Sequence, residues 1–293
     1  MPRCDYAVAH QRNLPCVPGS GRAASYVGAR PLDAATAALV GALQGFLEWL
    51  PVSSSGQVVL TASALLGVGA EVSYSLSLFL HLGTLVSAIV YYRREVFSAL
   101  SSLARFDLGD LTLRLWLVAT PASLAVGYPL YLAFTERAGK VALDELSAAV
   151  GAALISVAVW LYVSSSRRGA REPNTLDLLL LGVAQGVAAL PGISRSGVTI
   201  AILLTRRVAP QKAVRLSFLA SIPVTLAAGI YTAFSGLGPT PAGAAAASLL
   251  SSFAAGLAGI RLMELAGSVL NLAQFALVIG AVLVAVGLVS LAI

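Results

Sequence analysis

Apolar residues run through this chain in blocks, and two kinds of polar interruption separate them. Most interruptions are short loops carrying arginine. Two are proline- and serine-rich breaks inside what would otherwise be one continuous apolar stretch. The first stretch, 34–50, is stopped by Pro51-Val52-Ser53-Ser54-Ser55-Gly56, and a second run, 57–66, ends at Gly67. The same pattern returns as 176–190, a stop at Pro191-Gly192, and 194–204 closed by Arg206-Arg207. Between and after the breaks the pattern predicts full-length helices over about 74–92, 111–134 (with kinks expected at Pro121 and Pro129), 146–163, 214–234, 241–262 and 272 to the end. Each broken piece is short for a bilayer of about 30 Å. The pairs therefore read as re-entrant half-helices, which tolerate irregular backbone only where protein or a wet cavity surrounds it.

The two breaks are relatives. Gln44-Gly45 and Gln185-Gly186 are each followed by Leu-Pro and then Ser-x-Ser-Gly, with twelve residues from Gln to the final Gly (44 to 56, 185 to 197). Each half has the order broken pair, then three crossings, so the second half is expected to be inverted relative to the first. Loop charges agree with this. One face receives Arg93, Arg94, Arg105, Arg167, Arg168, Arg171, Arg206, Arg207, Lys212, Arg215 and Arg261, and the other Arg137 and Lys140. The positive-inside rule puts the first face in the cytoplasm.

Composition narrows the class. Hydrophobic residues make up 58% and charged residues 11%, against about 25% charged in soluble domains. The expected architecture is an all-α integral membrane protein. It has one membrane domain, 34–293, with repeats 34–166 and 175–293, behind a polar extension, 1–33, expected to be disordered. The net charge of +6 is topogenic and does not point to nucleic acid. Cys4 and Cys16 lie in the extension, where a disulfide is possible but not required. The extension has no apolar core of a secretory signal.

Chemistry concentrates at the breaks. Glu48 is an acidic residue deep inside an expected apolar element, whereas Asp177 sits only at the edge of its own. A carboxylate so placed is functional or paired. In the repeat alignment Glu48 falls opposite Ala189, and Ser54 opposite Arg195. One copy thus supplies an acid and the other a cation. The second half-helices begin inside the membrane at Ser53–Ser55 and Ser194–Ser196, and helix N-termini with serine hydroxyls are suited to a phosphate or diphosphate. Gln44 lies four residues before Glu48, and Thr199 four after Arg195, each on the same helix face. Simpler readings stand beside these: an ion pair holding the halves together, serines that only cap, a core amide at Gln44, and an interior hydrogen-bonded imidazole at His81. No phosphate-binding GK[ST] loop or HExxH is present, and two histidines, His10 and His81, leave no Ser-His-Asp set.

LQGFLEWLPVSSSG together with LPGISRSGVT resembles the undecaprenyl-diphosphate phosphatase, or bacitracin-resistance protein, family. The likeness covers about 34–293 and includes HLGTL at 81–85. It implies hydrolysis of a polyprenyl diphosphate to the monophosphate, recycling the lipid carrier for envelope polysaccharides. It also implies a multi-pass protein of the cell membrane with its site toward the outside, in contact with membrane lipid, and a divalent metal, Mg²⁺ or Ca²⁺. A homodimer is compatible with it. The residues that match the family pattern are Gln44 and Glu48, expected at the metal; Ser53, Ser54 and Ser55; and Pro191, Gly192, Ser194, Arg195, Ser196 and Thr199. Glu48, Ser54 and Arg195 are the expected catalytic residues, with Gln44, Ser53, Ser55, Gln57, Gly192, Ser194, Ser196 and Thr199 at the substrate. One position departs: where many members have a histidine after the serine turn, this chain has Gln57. A flippase or anion transporter could use the same midplane site.

Overall fold

The computed structural model describes residues 33–138, 141–166, 169–235, 241–265 and 269–292; the N-terminal extension up to residue 32, with Cys4 and Cys16, lies outside them. Among the described residues the chain forms eleven helices and no strand. Arg171 and Val208 make one isolated bridge. In chain order the helices are α1 (Ala34–Leu47), α2 (Ser54–Leu66), α3 (Ala70–Tyr91), α4 (Arg93–Ala104), α5 (Leu111–Ala138), α6 (Leu143–Ser165), α7 (Thr175–Val187), α8 (Arg195–Thr205), α9 (Pro210–Ser235), α10 (Ala242–Leu265) and α11 (Val269–Ala292). Five of them, α3, α5, α6, α9 and α10, are long and apolar enough to cross a membrane. α5 runs unbroken through Pro121 and Pro129.

One boundary differs from the sequence reading in a way that matters. α1 stops at Leu47, leaving Glu48 at its C-cap, where the expected helix continued to 50. Pro51 disfavours helical geometry in the residue before it, and a Glu side chain that leaves at the helix end can turn toward the break. α2 begins at Ser54, within the expected Ser53–Ser55 start, and Ser53 caps it: its Oγ accepts the Gly56 N–H. Ser194 caps α8 in the same way through the Gly197 N–H. α4 is a further difference. It occupies the 93–110 loop, to which the apolar pattern assigned no element; its twelve residues mix arginines with apolar positions and cannot be read as a span.

Backbone proximity sets how α1 and α7 sit. A Cβ at Gly41 or Gly45 of α1 would fall 2.1 and 2.2 Å from the Ser248 and Ser252 carbonyl oxygens of α10. On α7, a Cβ at Gly182 or Gly186 would fall 2.5 and 2.7 Å from the Ala119 and Ser123 carbonyl oxygens of α5. Small residues at i, i+4 allow this approach where apolar burial between helices in lipid supplies little driving force. α1 and α7 are each thereby seated on a long helix of the other half of the chain. α8 and α9 pack with α3, α5 and α6 around a core that includes Trp49, Leu115, Leu154, Leu178, Ile200 and Phe218.

Candidate active site

The two breaks touch. Ser53 holds a left-handed backbone, φ 55°, which for a serine costs of order 1 kcal/mol or more. This conformation turns its Oγ to accept the Gly192 N–H at 2.9 Å from the other break. Gly192 itself has φ +98°, and a Cβ there would meet the Val150 Cα at 2.8 Å; both facts require glycine. Ser196 Oγ returns the link by donating to the Leu50 carbonyl at 2.9 Å. Tyr74 of α3 donates its hydroxyl hydrogen to the Ala189 carbonyl.

Glu48 is the hub. It is 6% exposed. Its Oε1 accepts Arg195 Nη2 at 2.6 Å. Its Oε2 accepts the Ser54 hydroxyl at 2.6 Å and Gln44 Nε2 at 2.9 Å, and lies 3.1 Å from His81 Nε2. His81 Nδ1 donates to the Ser77 carbonyl at 2.6 Å, which leaves Nε2 as the nitrogen facing Glu48. Arg195 is fixed from two further sides: Nη1 donates to the Ser217 carbonyl at 3.1 Å, and its guanidinium lies 5.3 Å from the centre of the Trp49 ring. Trp49 packs edge-on against Phe218. A buried pair anchored in this way is costly to break from one side, about 3–5 kcal/mol.

A cavity of about 320 Å³ opens beside this pair. Glu48, Ser53, Ser54, Ser55, Ser194, Arg195 and His81 line its polar end; Tyr74, Leu78, Leu124, Tyr128, Tyr131 and Tyr231 line much of the rest. The remaining expected residues lie outside the lining. Gln44 sits behind Glu48, with Oε1 buried and unpaired. Gly192 and Ser196 join the two breaks. Thr199 donates to the Arg195 carbonyl at 2.7 Å and meets Ser217 Oγ at 2.6 Å, bracing the arginine's turn of helix. Gln57 Nε2 lies 3.5 Å from the Val52 carbonyl, away from the cavity. His81 and Tyr74 are the residues that sequence reasoning underweighted. For His81 the available signal was an ionisable side chain in an apolar span, one turn after a serine; Tyr74 gave none.

Chemically the polar end joins a hydroxyl hydrogen-bonded to a carboxylate, a guanidinium, and two serine-capped helix N-termini. That set can hold a phosphorylated ligand and activate an oxygen nucleophile. The cavity beyond it is apolar and aromatic, as a lipid chain requires.

Comparison with known proteins agrees with this chemistry. Proteins named undecaprenyl-diphosphatase are similar to the chain. One from Saccharolobus islandicus is 37% identical over 205 residues, covering 67% of this chain and 73% of the relative. One from Haloarcula marismortui is 41% identical over 201 residues, 66% and 74% of the two chains. One from Methanothrix thermoacetophila is 38% identical over 198 residues, 67% and 74%. The family model described as bacitracin resistance protein BacA matches residues 37–288, both breaks included, and the chain belongs to that family.

Proposed function

We propose that this multi-pass membrane protein is an undecaprenyl-diphosphate phosphatase, hydrolysing a polyprenyl diphosphate to the monophosphate and inorganic phosphate. The observation that carries the reading is the Ser54–Glu48–Arg195 chain at the polar end of an apolar cavity, with both bonds at 2.6 Å. Arg195, the hydroxyls of Ser53, Ser55 and Ser194, and the N-termini of α2 and α8 hold the two phosphates. Ser54 Oγ attacks the terminal phosphorus in line as its proton passes to Glu48. The bridging P–O bond breaks, Glu48 passes that proton to the departing oxygen, and the prenyl monophosphate leaves. Water then attacks the phosphoserine phosphorus, giving its proton to the freed Glu48 carboxylate, which returns it to Ser54 Oγ as the P–Oγ bond breaks and inorganic phosphate is released. Gln44 orients Glu48, and His81 closes the carboxylate's remaining side.

The family likeness implies a divalent cation, and the residues fit one. Glu48 and the orphaned Gln44 Oε1 are hard oxygen donors, and a bound diphosphate would supply further oxygens to such an ion. Glu48 and Gln44 would hold it, and when bound it neutralises charge on the phosphates.

The reading includes inverted repeats with re-entrant pairs α1–α2 and α7–α8. The matched glycine seats support it: α1 on α10 and α7 on α5 use glycines three residues before and one after the glutamine, at the same positions in both copies. So does α6 against α11, where a Cβ on Gly151 would meet the Gly280 carbonyl at 2.7 Å and one on Gly280 the Gly151 carbonyl at 3.0 Å. The cavity's tyrosine-lined end lies toward the arginine-poor face, which supports a site reached from the outside of the cell membrane. The test is phosphate release by purified protein in detergent with C55 and shorter prenyl diphosphates, with and without chelator. Release without any gradient is expected. Binding without release would replace the phosphatase by a lipid carrier.

A further inference from the structure

The helix that the apolar pattern missed has three distinct sides. Ala99 and Ser102 are buried against the protein. Phe97, Leu100, Leu103 and Ala104, at helical spacing, form a second, exposed side; Phe97 is 73% exposed and Leu100 53%. Arg94, Ser98 and Arg105 form the third. The acidic groups nearby are engaged elsewhere: Glu95 pairs with Arg215, Asp110 accepts the Ser98 hydroxyl and the Leu113 N–H, and Asp107 accepts the Gly109 N–H. Among the described residues Arg94 and Arg105 have no acidic partner.

Just beyond α4, Phe106 is 91% exposed on a left-handed backbone, φ 54°. Leu108, also exposed, follows it. A strained backbone that places a phenyl ring in water is paid for twice, in conformation and in hydration. The ring has no protein surface to recover either cost. α4 is also fixed at a membrane end, because α3, a candidate span, gives way to it at a single residue, Tyr92, whose hydroxyl is held by Glu264 at 2.6 Å.

We propose that α4 and the Phe106–Leu108 turn form an interfacial anchor in the headgroup layer on the arginine-rich face. In this anchor Phe97, Leu100, Leu103, Phe106 and Leu108 enter the acyl boundary, and Arg94 and Arg105 bind the phosphates of anionic lipids. Twelve helical residues are too short to span, but their length and three-sided pattern suit a helix lying in the interface. Basic side chains at that depth attract anionic headgroups, and their apolar stems follow the ring surface. The inference requires only that α3 spans the membrane and is independent of the reaction.

The test uses the full chain with Cys4 and Cys16 replaced by serine and a single bimane label at Phe97→Cys, Phe106→Cys or Ser98→Cys. The protein is reconstituted in phosphatidylcholine vesicles containing phosphatidylglycerol, with a nitroxide placed high on one lipid or the other. Labels at 97 and 106 should be quenched severalfold more by lipid nitroxide than the label at 98, and severalfold less by iodide. Nitroxide on phosphatidylglycerol should quench more than nitroxide on phosphatidylcholine, and Arg94→Gln with Arg105→Gln should remove that preference. Equal iodide access at 98 and 106 would overturn the anchor. So would quenching that follows protein concentration, since that places a second copy of the chain on this face. Equal quenching by both headgroups would overturn the anionic-lipid assignment.

Discussion

The break after α1 and the break after α7 use the same parts for different work. Both follow a Gln-Gly seated on a long helix by backbone contact, and both restart a helix at a serine whose Oγ caps it. At the first break Gln44 gives its amide hydrogen to Glu48. At the second Gln185 has no carboxylate to hold, because Ala189 stands at the equivalent place, and its Nε2 goes to Ser123 Oγ at 3.0 Å and the Ala220 carbonyl at 3.2 Å. The first break contributes acid and hydroxyl, the second the guanidinium. The scaffold is therefore common to both breaks and the chemistry divided between them. The second half alone would leave Arg195 without a carboxylate, and the first would leave Glu48 with His81 as its ionisable partner.

Several substitutions break this comparison, and the largest effect is expected at its centre. Glu48→Ala or Arg195→Ala should each lower phosphate release by three or more orders of magnitude and lower the folding free energy by about 3–5 kcal/mol, read by thermal unfolding in detergent. The double variant should recover part of that stability and none of the turnover. A double variant as unstable as the two losses summed would mean the groups do not act as a pair.

Ser54→Ala comes next. It leaves Glu48 with its other partners, so folding should change by about 1 kcal/mol. Turnover should fall at least a hundredfold, while retained phosphatidyl-lipid extraction and substrate binding show an intact site. Ser55→Ala, one residue on, should cost less than tenfold. Reversal of that order would move the nucleophile.

The two glutamines separate orientation from structure. Gln44→Leu should reduce turnover about tenfold or more by freeing the Glu48 carboxylate, whereas Gln185→Leu should show mainly as a loss of about 1–3 kcal/mol in stability, from the carbonyl and hydroxyl it leaves unpaired. The kcat and melting temperature of the two variants decide this. The smallest effect is expected at Gln57→His. Its side chain points to the Val52 carbonyl and not into the cavity, so turnover should stay within about twofold. A large gain would mean the turn rearranges to bring position 57 to the substrate.

These contrasts follow how legible the molecule was. The breaks stood out because proline, serine and a carboxylate are costly in an apolar run, so their positions carry information. The pairing of Glu48 with Arg195 could be inferred from the repeat, since a charge of each sign occupied complementary copies. The participation of His81 could not. A histidine within a span serves equally as a core group bonded to its own helix, and the Ser77 carbonyl does bond it. Tyr74 acts through a hydroxyl reaching a carbonyl more than a hundred residues away, which depends on tertiary placement alone. α4 escaped because hydropathy ranks segments by burial in hydrocarbon, and a helix with one side in protein, one in lipid and one in water averages to none of these. The end of α1 was misplaced by three residues because periodicity continues through Glu48 to Leu50, while the backbone yields earlier to Pro51.

The central claim is that Glu48 and Arg195, from different halves of the chain, work as one catalytic unit on a prenyl diphosphate. Steady-state phosphate release from C55 diphosphate by the wild type, Glu48→Ala, Arg195→Ala and the double variant, all in the same detergent, tests it most directly. The account predicts rapid release by the wild type, near-complete loss in each single variant and no further loss in the double, as for residues that act together. Near-normal release by either single variant, or losses that multiply in the double, would contradict it.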